Sequence, residues 1–228
     1  LAAAATPTTP SAPGSTVLAA RVVGAARAGG PRAGGAAAAA AGSGGAPDDH
    51  GGSANAAAAA CAAVRFAKRV LDATRADPTG GALEEVSARL FRVCLGYTVD
   101  RVGGSHDRGI DLKMRSADDV PCVAQCKSKR TGDVSFVEVS AFLGAMGLAG
   151  VDHGLFITNA AFTGAARKAA DEWAAAAAHR SLLLYSCEEL TAMCCKHHAA
   201  LARDHYMQSL LEHRPANAPH DTPPRRAR

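Results

Sequence analysis

The sequence predicts a three-layer α/β domain in which a mixed central sheet is flanked by helices. Helical and strand-like hydrophobic patterns alternate between about residues 81 and 204, in the order helix, three strands, helix, strand, helix, strand, helix. Short turn-like segments separate the first three strands, which favours antiparallel pairing. Helices separate the later strands, which favours parallel crossovers.

The large apolar residues that could build a core are confined to the middle of this 228-residue chain. Residues 1–55 are almost wholly Ala, Gly, Pro, Ser and Thr, which offer too little apolar surface to offset the entropy of ordering. Residues 56–80 are expected to form a helical extension and linker, residues 81–204 the domain, and residues 205–228 a disordered basic tail. We therefore predict one domain rather than two.

The low-complexity N-terminal segment has features of an organellar transit peptide. Its first acidic residue is Asp48, and Arg21, Arg27 and Arg32 precede it among small residues. This composition predicts a mitochondrial location. The alternative is disordered sequence from a compositionally biased genome, in a protein that is otherwise soluble and intracellular. No run of large apolar residues reaches membrane-spanning length, so no membrane association is expected.

Charge and cysteine content narrow the function only slightly. The formal net charge of +4 is compatible with a polyanionic partner, but part of the excess lies in the arginines near the C-terminus. The seven cysteines are an odd number without a repeating spacing, and no secretory signal precedes them. We therefore expect reduced thiols rather than a disulfide framework.

The first half of the predicted domain consists of helices followed by a meander. An alanine-rich helix over residues 56–74 is broken by the Pro and Gly residues at 78–81. The next helix ends before Gly96 and has one apolar face, formed by Leu83, Val86, Leu90 and Val93. Strands are then predicted at about residues 97–102, 110–114 and 120–127.

The second half alternates helices and strands. Residues 136–148 have helical spacing, and residues 154–158 form the short continuous apolar run of a buried strand. A helix over residues 162–178 has Thr163 as its candidate N-cap. A strand at residues 181–185 and a closing helix from Cys187 onward complete the domain.

Three side chains are predicted to meet on the meander. Gln125 and Lys127 are two residues apart on one strand, so they leave the same face, while Cys126 points into packing on the other. Asp111 lies at the start of the preceding strand, and a hairpin-like return through residues 117–119 would bring its carboxylate beside them. The site would then combine a carboxylate, an amide oxygen and a lysine.

This combination suits phosphodiester hydrolysis. The reaction needs a hard cation to offset developing charge, and Mg²⁺ prefers oxygen ligands. Asp111, the side-chain oxygen of Gln125 and the backbone carbonyl of Cys126 could supply those ligands, and Lys127 could position the attacking water or stabilise charge.

A second carboxylate could come from the first helix of the domain. Glu84 or Glu85 would reach the site if the N-terminal end of that helix packs over the sheet edge, and Glu84 is preferred.

The residues around this site resemble a known family. Residues 103–112, GGSHDRGIDL, followed by VAQCK at 123–127, are similar to the pattern G-G-x-x-D-x-G-I-D-L … V-Q-C-K of the Mrr-like (type IV) restriction endonucleases, in the PD-(D/E)xK nuclease superfamily. Downstream, GLFITN at 154–159 with Phe162 and Thr163 resembles the family's G-x-F-I-T … F-T segment. The resemblance spans about residues 83–190.

The resemblance implies a restriction-endonuclease-like core and Mg²⁺-dependent cleavage of DNA, with Mn²⁺ as an alternative cation. The family's acidic, glutamine and lysine catalytic positions fall on Asp111, Gln125 and Lys127. A fungal mitochondrial group required for respiratory growth carries a similar G-G-x-x-D-R-G-I-D-L run. The chain departs from the family in the first helix, where Leu83 stands in place of an aromatic residue before Glu84.

Three basic residues are candidate phosphate contacts. Lys129 and Arg130 follow the site directly, and Arg167 lies near the start of a predicted helix. The alternative is that these residues are solvated surface charges. Aromatic residues that would stack single-stranded bases are absent from these positions, so double-stranded DNA is the expected partner, with a homodimer as one arrangement.

A rival function belongs to a different class of protein. The chain could be a catalytically silent nucleic-acid-binding or mitochondrial assembly and maintenance module that keeps the nuclease fold. Intact Asp111, Gln125 and Lys127 favour the enzyme, because a silent domain would be free to lose them.

Overall fold

The computed structural model describes residues 50–102 and 109–212, with side chains from residue 55 onward in the first range. Three predicted features therefore lie outside the described residues. They are the candidate transit peptide up to residue 49, the turn at Gly103 and Gly104, and the tail beyond residue 212.

Five strands form one mixed sheet in the order β1-β2-β3-β4-β5. Their bounds are β1 (Thr98–Arg101), β2 (Leu112–Arg115), β3 (Pro121–Lys127), β4 (His153–Thr158) and β5 (Ser181–Tyr185). The first three strands pair antiparallel, and β3, β4 and β5 pair parallel. This topology confirms the predicted combination of a meander with parallel crossovers.

Helices cover both faces of the sheet. In chain order they are α1 (His50–Ala76), α2 (Gly81–Leu95), α3 (Phe136–Ala149), α4 (Gly164–Ala176), α5 (Cys187–Lys196), α6 (His198–Leu201) and α7 (His205–Glu212). Helices α3 and α4 pack on one face, and the other five helices contribute to the core on the opposite face. The domain is therefore the α/β three-layer sandwich that the sequence predicts.

Two hydrophobic cores lie on opposite faces of the sheet. The first core is formed mainly by Val70, Leu83, Leu90, Phe91, Leu112, Ala124, Ile157, Leu190 and Met207. The second core is formed mainly by Val123, Val139, Phe142, Met146, Phe156, Phe162 and Ala166. Successive residues of β3 and β4 alternate between the two cores, because side chains in a strand point to opposite faces.

Side-chain caps set the start of the two crossover helices. Ser135 and Glu138 form a capping box at the start of α3. The Thr163 hydroxyl accepts a hydrogen bond from Ala166 N–H at 3.2 Å, which confirms Thr163 as the N-cap of α4.

The ends of the folded unit differ from the prediction. Helix α1 was predicted as a helical extension outside the domain, but its Ala67, Val70 and Leu71 are buried in the first core. The predicted disordered tail also starts too early: residues 205–212 form α7, whose Met207 is fully buried. Packing against α1 orders this polar segment, and the Arg69 guanidinium donates a hydrogen bond to the carbonyl of Leu211 at 2.9 Å.

Within the described part of the chain, no helix combines the length and the apolar character needed to cross a membrane.

Candidate active site

Asp111 lies one residue before β2, not at the start of the strand as the sequence suggests. Its N–H donates a hydrogen bond to the carbonyl of Ala124 at 2.9 Å, although Leu112 is the residue that pairs with Ala124 in the ladder. Two consecutive residues thus oppose one residue of β3, which is the arrangement of a β-bulge. A bulge re-aims a side chain, and here that side chain is the carboxylate of Asp111.

The Asp111 carboxylate bonds directly to the strand that carries the other candidate residues. Its Oδ2 accepts a hydrogen bond from the backbone N–H of Cys126 at 2.6 Å. A carboxylate acceptor makes this bond short and stronger than one between neutral groups. The contact therefore holds Asp111 against the Gln-Cys-Lys segment, as the predicted site requires.

Gln125 lies beneath a glycine that the fold requires. Gly109 has φ +82°, and a Cβ at this position would approach Nε2 of Gln125 to 3.0 Å. A larger residue would therefore be strained in its backbone and would also displace the amide. Because Val123 on the same strand belongs to the second core, the two-residue period places Gln125 and Lys127 on that face of the sheet.

Lys127 is the last residue of β3, and it is exposed. Its backbone carbonyl accepts a hydrogen bond from the hydroxyl of Thr158 at 2.7 Å, on the neighbouring strand β4. The residue thus ends a well-anchored strand while its side chain reaches solvent.

The thiol of Cys126 packs against the first core, on the face opposite to the side chains of Gln125 and Lys127. Burial raises its pKa, and the negative charges of Asp111 and Glu84 raise it further, against a hydrogen bond with Ser87 and the charge of Arg101. The thiol therefore stays protonated, and only the Cys126 backbone is available to the site.

The two glutamates of α2 are bound to Arg101, which ends β1. Its guanidinium lies 2.7 Å from Oε2 of Glu84 and 3.2 Å from Oε2 of Glu85. Glu85 also forms an ion pair with Arg89 at 2.8 Å, whereas among the described residues Glu84 pairs with Arg101. Glu84 thus takes part in fewer of these ion pairs than Glu85, but its negative charge is already offset by Arg101.

The candidate phosphate contacts lie in different settings. Lys129 is held in an ion pair with Glu138, 2.8 Å from Nζ to Oε1, at the capping box of α3. Arg130 is exposed just after β3. Arg167 is exposed on the first turns of α4, with its guanidinium 5.7 Å from the ring centre of Phe162.

The donors at the site are oxygens. Within residues 50–102 and 109–212, no three His, Cys, Asp or Glu side chains cluster to hold a metal ion. The candidate ligands are instead one carboxylate on Asp111, one amide on Gln125 and one backbone carbonyl on Cys126. Mg²⁺ is usually held by one or two carboxylates together with waters and substrate phosphates, so this set fits Mg²⁺.

The sequence did not identify three residues that border the site. Arg101 was not predicted, because nothing in a short polar strand indicates pairing with a helix. Thr158 and Asn159 end the apolar run of β4, and the polar break after that run is the signal that could have indicated them.

The fold is a three-layer α/β domain built on a mixed five-stranded sheet. The sequence matches the family model described as "Restriction endonuclease" (Mrr_cat) over residues 76–194, which is more than half of the chain. The chain therefore belongs to the Mrr-like restriction endonuclease family, and its three-layer core is restriction-endonuclease-like.

Among solved structures, the DNA modification-dependent restriction endonuclease AspBHI is similar to this chain, with 15% sequence identity and a TM-score of 0.46. The match covers 68% of this chain and 39% of AspBHI. A search of curated protein sequences finds no match.

Proposed function

We propose that this chain is a Mg²⁺-dependent endonuclease that hydrolyses phosphodiester bonds of double-stranded DNA, with Mn²⁺ able to replace Mg²⁺. The hydrogen bond from Cys126 N–H to Asp111 carries the proposal, because it joins the two separate parts of the motif in one site. Membership of the restriction endonuclease family supports the same reaction class.

In this proposal Asp111 is the anionic ligand of the cation. The side-chain oxygen of Gln125 and the carbonyl of Cys126 complete the protein's share of the ligands. When bound, the cation would offset the negative charge that develops on the attacked phosphate. The bond from Cys126 N–H keeps the Asp111 carboxylate oriented before DNA arrives.

Lys127 acts on the water and the phosphate. Its amine lies on an exposed strand end that a duplex can reach, and it orients the attacking water and stabilises charge on the phosphate oxygens. The water oxygen forms a new bond to phosphorus as the bond to the leaving oxygen breaks. The attacking water gives up a proton to solvent, and the leaving oxygen takes up a proton from solvent.

The remaining candidates have conditional roles. Glu84 would join the cation's ligands only after its ion pair with Arg101 opens. Arg130 and Arg167 are exposed and can contact the DNA backbone, whereas Lys129 would first have to leave Glu138.

The test is cleavage of supercoiled plasmid by the purified chain with Mg²⁺, compared with Asp111→Asn and Lys127→Ala. Asn keeps an oxygen that can accept from Cys126 N–H, so the fold should persist while the charge is lost. Because Asp111 is proposed as a direct ligand and Lys127 as the group that orients the water, each substitution should cost at least as much as the loss of an outer-shell residue, typically about 10–100-fold. We therefore expect each substitution to lower the rate by about 100-fold or more. Asp100→Asn and Lys196→Ala are controls of the same chemical type on exposed sites elsewhere, and they should cut like the wild type.

The ion pair between Glu84 and Arg101 favours the silent module as the second candidate, because it occupies the second carboxylate that could join the proposed ligands. That candidate predicts DNA binding without cleavage. If wild type, Asp111→Asn and Lys127→Ala all bind DNA and none cuts it, the catalytic proposal fails and the silent module stands.

We also propose a mitochondrial location, which rests on the arginine-bearing, acid-poor composition of residues 1–47. Imaging of a tagged full-length protein tests this proposal, and a diffuse signal outside mitochondria would contradict it. A homodimer on DNA is proposed as well, and light scattering of the chain with and without a short duplex would measure it.

A further inference from the structure

A buried polar cluster surrounds the chain just after Lys127. Asn159 follows β4 and is fully buried. Its side-chain oxygen accepts from the N–H of Lys129 at 2.8 Å, and its amide donates to the hydroxyls of Ser128 at 3.0 Å and Thr74 at 3.3 Å. The Asn159 side chain therefore bonds to two segments, which are the residues that directly follow β3 and the last turns of α1.

Helix α1 contacts the cluster from the other side. The Arg75 guanidinium donates to the backbone carbonyl of Asn159 at 2.7 Å, and the Ser128 hydroxyl donates to the carbonyl of Thr74 at 3.1 Å. The Thr74 hydroxyl is itself held, because it donates to the carbonyl of Leu71 at 2.8 Å. The residues that follow β3 are therefore hydrogen-bonded to a helix that packs in the first core.

A second connection acts on Lys127 itself. The Thr158 hydroxyl donates to the Lys127 carbonyl at 2.7 Å and accepts from the N–H of Ala160 at 3.2 Å. The ladder of β3 and β4 ends with the pair of Lys127 and Thr158. The ladder does not continue beyond this pair, and the side chain of Asn159 bonds there to the N–H of Lys129.

We propose that Thr158 and Asn159 are positioning residues for Lys127, and that the last turns of α1 are their anchor. The proposal rests on the proposed function, in which Lys127 acts on the phosphate. It adds to the active site a helix that lies almost entirely before residue 76, where the match to the family model begins.

The physical reason is that Lys127 stands at a strand end. Strand ends fray when the hydrogen bonds that follow are lost, and a lysine side chain with four rotatable bonds cannot correct an error in its own backbone. A buried Asn with several bonds holds one geometry, because leaving any of its polar atoms unpaired is unfavourable. Misplacement of a catalytic group by about 1 Å can lower a rate about 100-fold.

The experiment compares matched substitutions at these positions in the full chain. Thr158→Val keeps the shape and removes the hydroxyl, whereas Thr158→Ser keeps the hydroxyl. Asn159→Leu removes the hydrogen bonds that the Asn159 side chain makes with Lys129, Ser128 and Thr74. Ser186→Ala removes a buried N-cap at α5, far along the chain, and controls for loss of stability alone. The measurements are single-turnover cleavage rate, KM for a labelled duplex with Mg²⁺, and hydrogen exchange of the Lys129 and Ala160 amides.

We expect Thr158→Val and Asn159→Leu to lower the cleavage rate about 100-fold with little change in KM, since they misplace a catalytic group rather than remove a binding contact. Exchange should accelerate at Ala160 in the first variant and at Lys129 in the second. Thr158→Ser and Ser186→Ala should cut at rates close to the wild type, at a temperature where all variants are folded. If Asn159→Leu does not fold, Thr158→Val against Thr158→Ser decides the question.

Wild-type cleavage rates in Thr158→Val or Asn159→Leu, together with accelerated exchange, would overturn the proposal. An equal rate loss in Ser186→Ala would also overturn it, because stability would then explain the effect. If the wild type itself does not cut, the proposed function fails separately. Exchange alone then decides: unchanged protection of Lys129 in Asn159→Leu overturns the inference, and lost protection supports the connection.

Discussion

The two halves of the central sheet share β3 but differ in burial. In the antiparallel half, β1 and β2 alternate buried and exposed side chains. In the parallel half, β4 is buried from its second residue to its last, between the two cores. A strand covered on both faces is held by packing throughout its length, whereas a strand covered on one face can present charged groups to a partner.

The candidate chemistry follows this difference. Asp111, Gln125 and Lys127 lie on the antiparallel half or on the strand shared by the two halves. The parallel half contributes the side chains of Thr158 and Asn159, which hold the backbone of the shared strand. In the proposed function, one half would present the reactive groups to DNA, and the other would keep them in place.

Phe156→Ala should give the largest effect, on stability, because it removes a fully buried ring from the parallel half. The ring centre lies 5.6 Å from that of Phe142 and 5.7 Å from that of Phe162. We expect the free energy of unfolding in urea to fall by about 3–5 kcal/mol. Val137→Ala on α3, where the side chain is exposed, is the control and should change it by less than about 0.5 kcal/mol. A loss below about 1 kcal/mol for Phe156→Ala would contradict the rigid role of this half.

Gly109→Ala should give the next largest effect, chiefly on activity. The substitution strains a residue with φ +82° and brings its Cβ to 3.0 Å from Nε2 of Gln125. Gly96→Ala is matched in backbone, with φ +69°, but its Cβ would meet nothing within 4 Å. Both should lose about 1–2 kcal/mol of stability in urea, whereas only Gly109→Ala should lose at least about tenfold in plasmid cleavage. Equal activity in the two variants would show that the position of Gln125 does not matter.

Lowering the pH should remove a smaller contribution to the stability of the fold, which comes from the turn between α1 and α2. Burial alone would raise the pKa of Asp77, but hydrogen bonds from Ala82 N–H and from Thr79 outweigh it and hold the pKa below 3.8. A lowered folded pKa stabilises the fold above the unfolded value of about 3.9, and this stabilisation is lost as pH falls through the folded pKa.

Asp77→Ala measures this contribution. We expect it to lower the free energy of unfolding by about 0.5–2 kcal/mol at neutral pH, as the loss of a side-chain cap does. The difference from wild type should shrink as the pH falls below the unfolded value of about 3.9 and through the lowered folded pKa. A difference that stays constant over this range would mean that the carboxylate charge is not what stabilises the turn.

Glu84→Gln should give the smallest effect. The ion pair with Arg101 is partly exposed, so its loss should cost less than about 1 kcal/mol in urea unfolding. Because Glu84 is already engaged, cleavage should fall by less than about tenfold, against about 100-fold or more for Asp111→Asn. Glu85→Gln is the control on the same helix. A loss at Glu84 as large as that at Asp111 would make Glu84 an obligatory ligand.

The elements with a clear hydrophobic period were predictable within a few residues. The apolar face of α2 and the apolar runs of β4 and β5 can be recognised in the sequence. Burial on one side or on both sides leaves a regular hydrophobic pattern there. Helix α7 was not predictable, since Met207 is ordered by packing against distant parts of the first core rather than by local pattern. The burial of alanine-rich α1 likewise depends on its neighbours.

The sequence by itself determined the order of elements, the mixed sheet and the common face of Gln125 and Lys127, because each follows from periodicity along a few residues. Only the tertiary structure decided that Asp111 bonds to Cys126, that Arg101 engages Glu84, and that Asn159 ties the end of β3 to α1. These contacts join residues far apart in the chain, 85 positions in the case of Asn159 and Thr74. Their geometry depends on how the layers pack, and no local pattern records it.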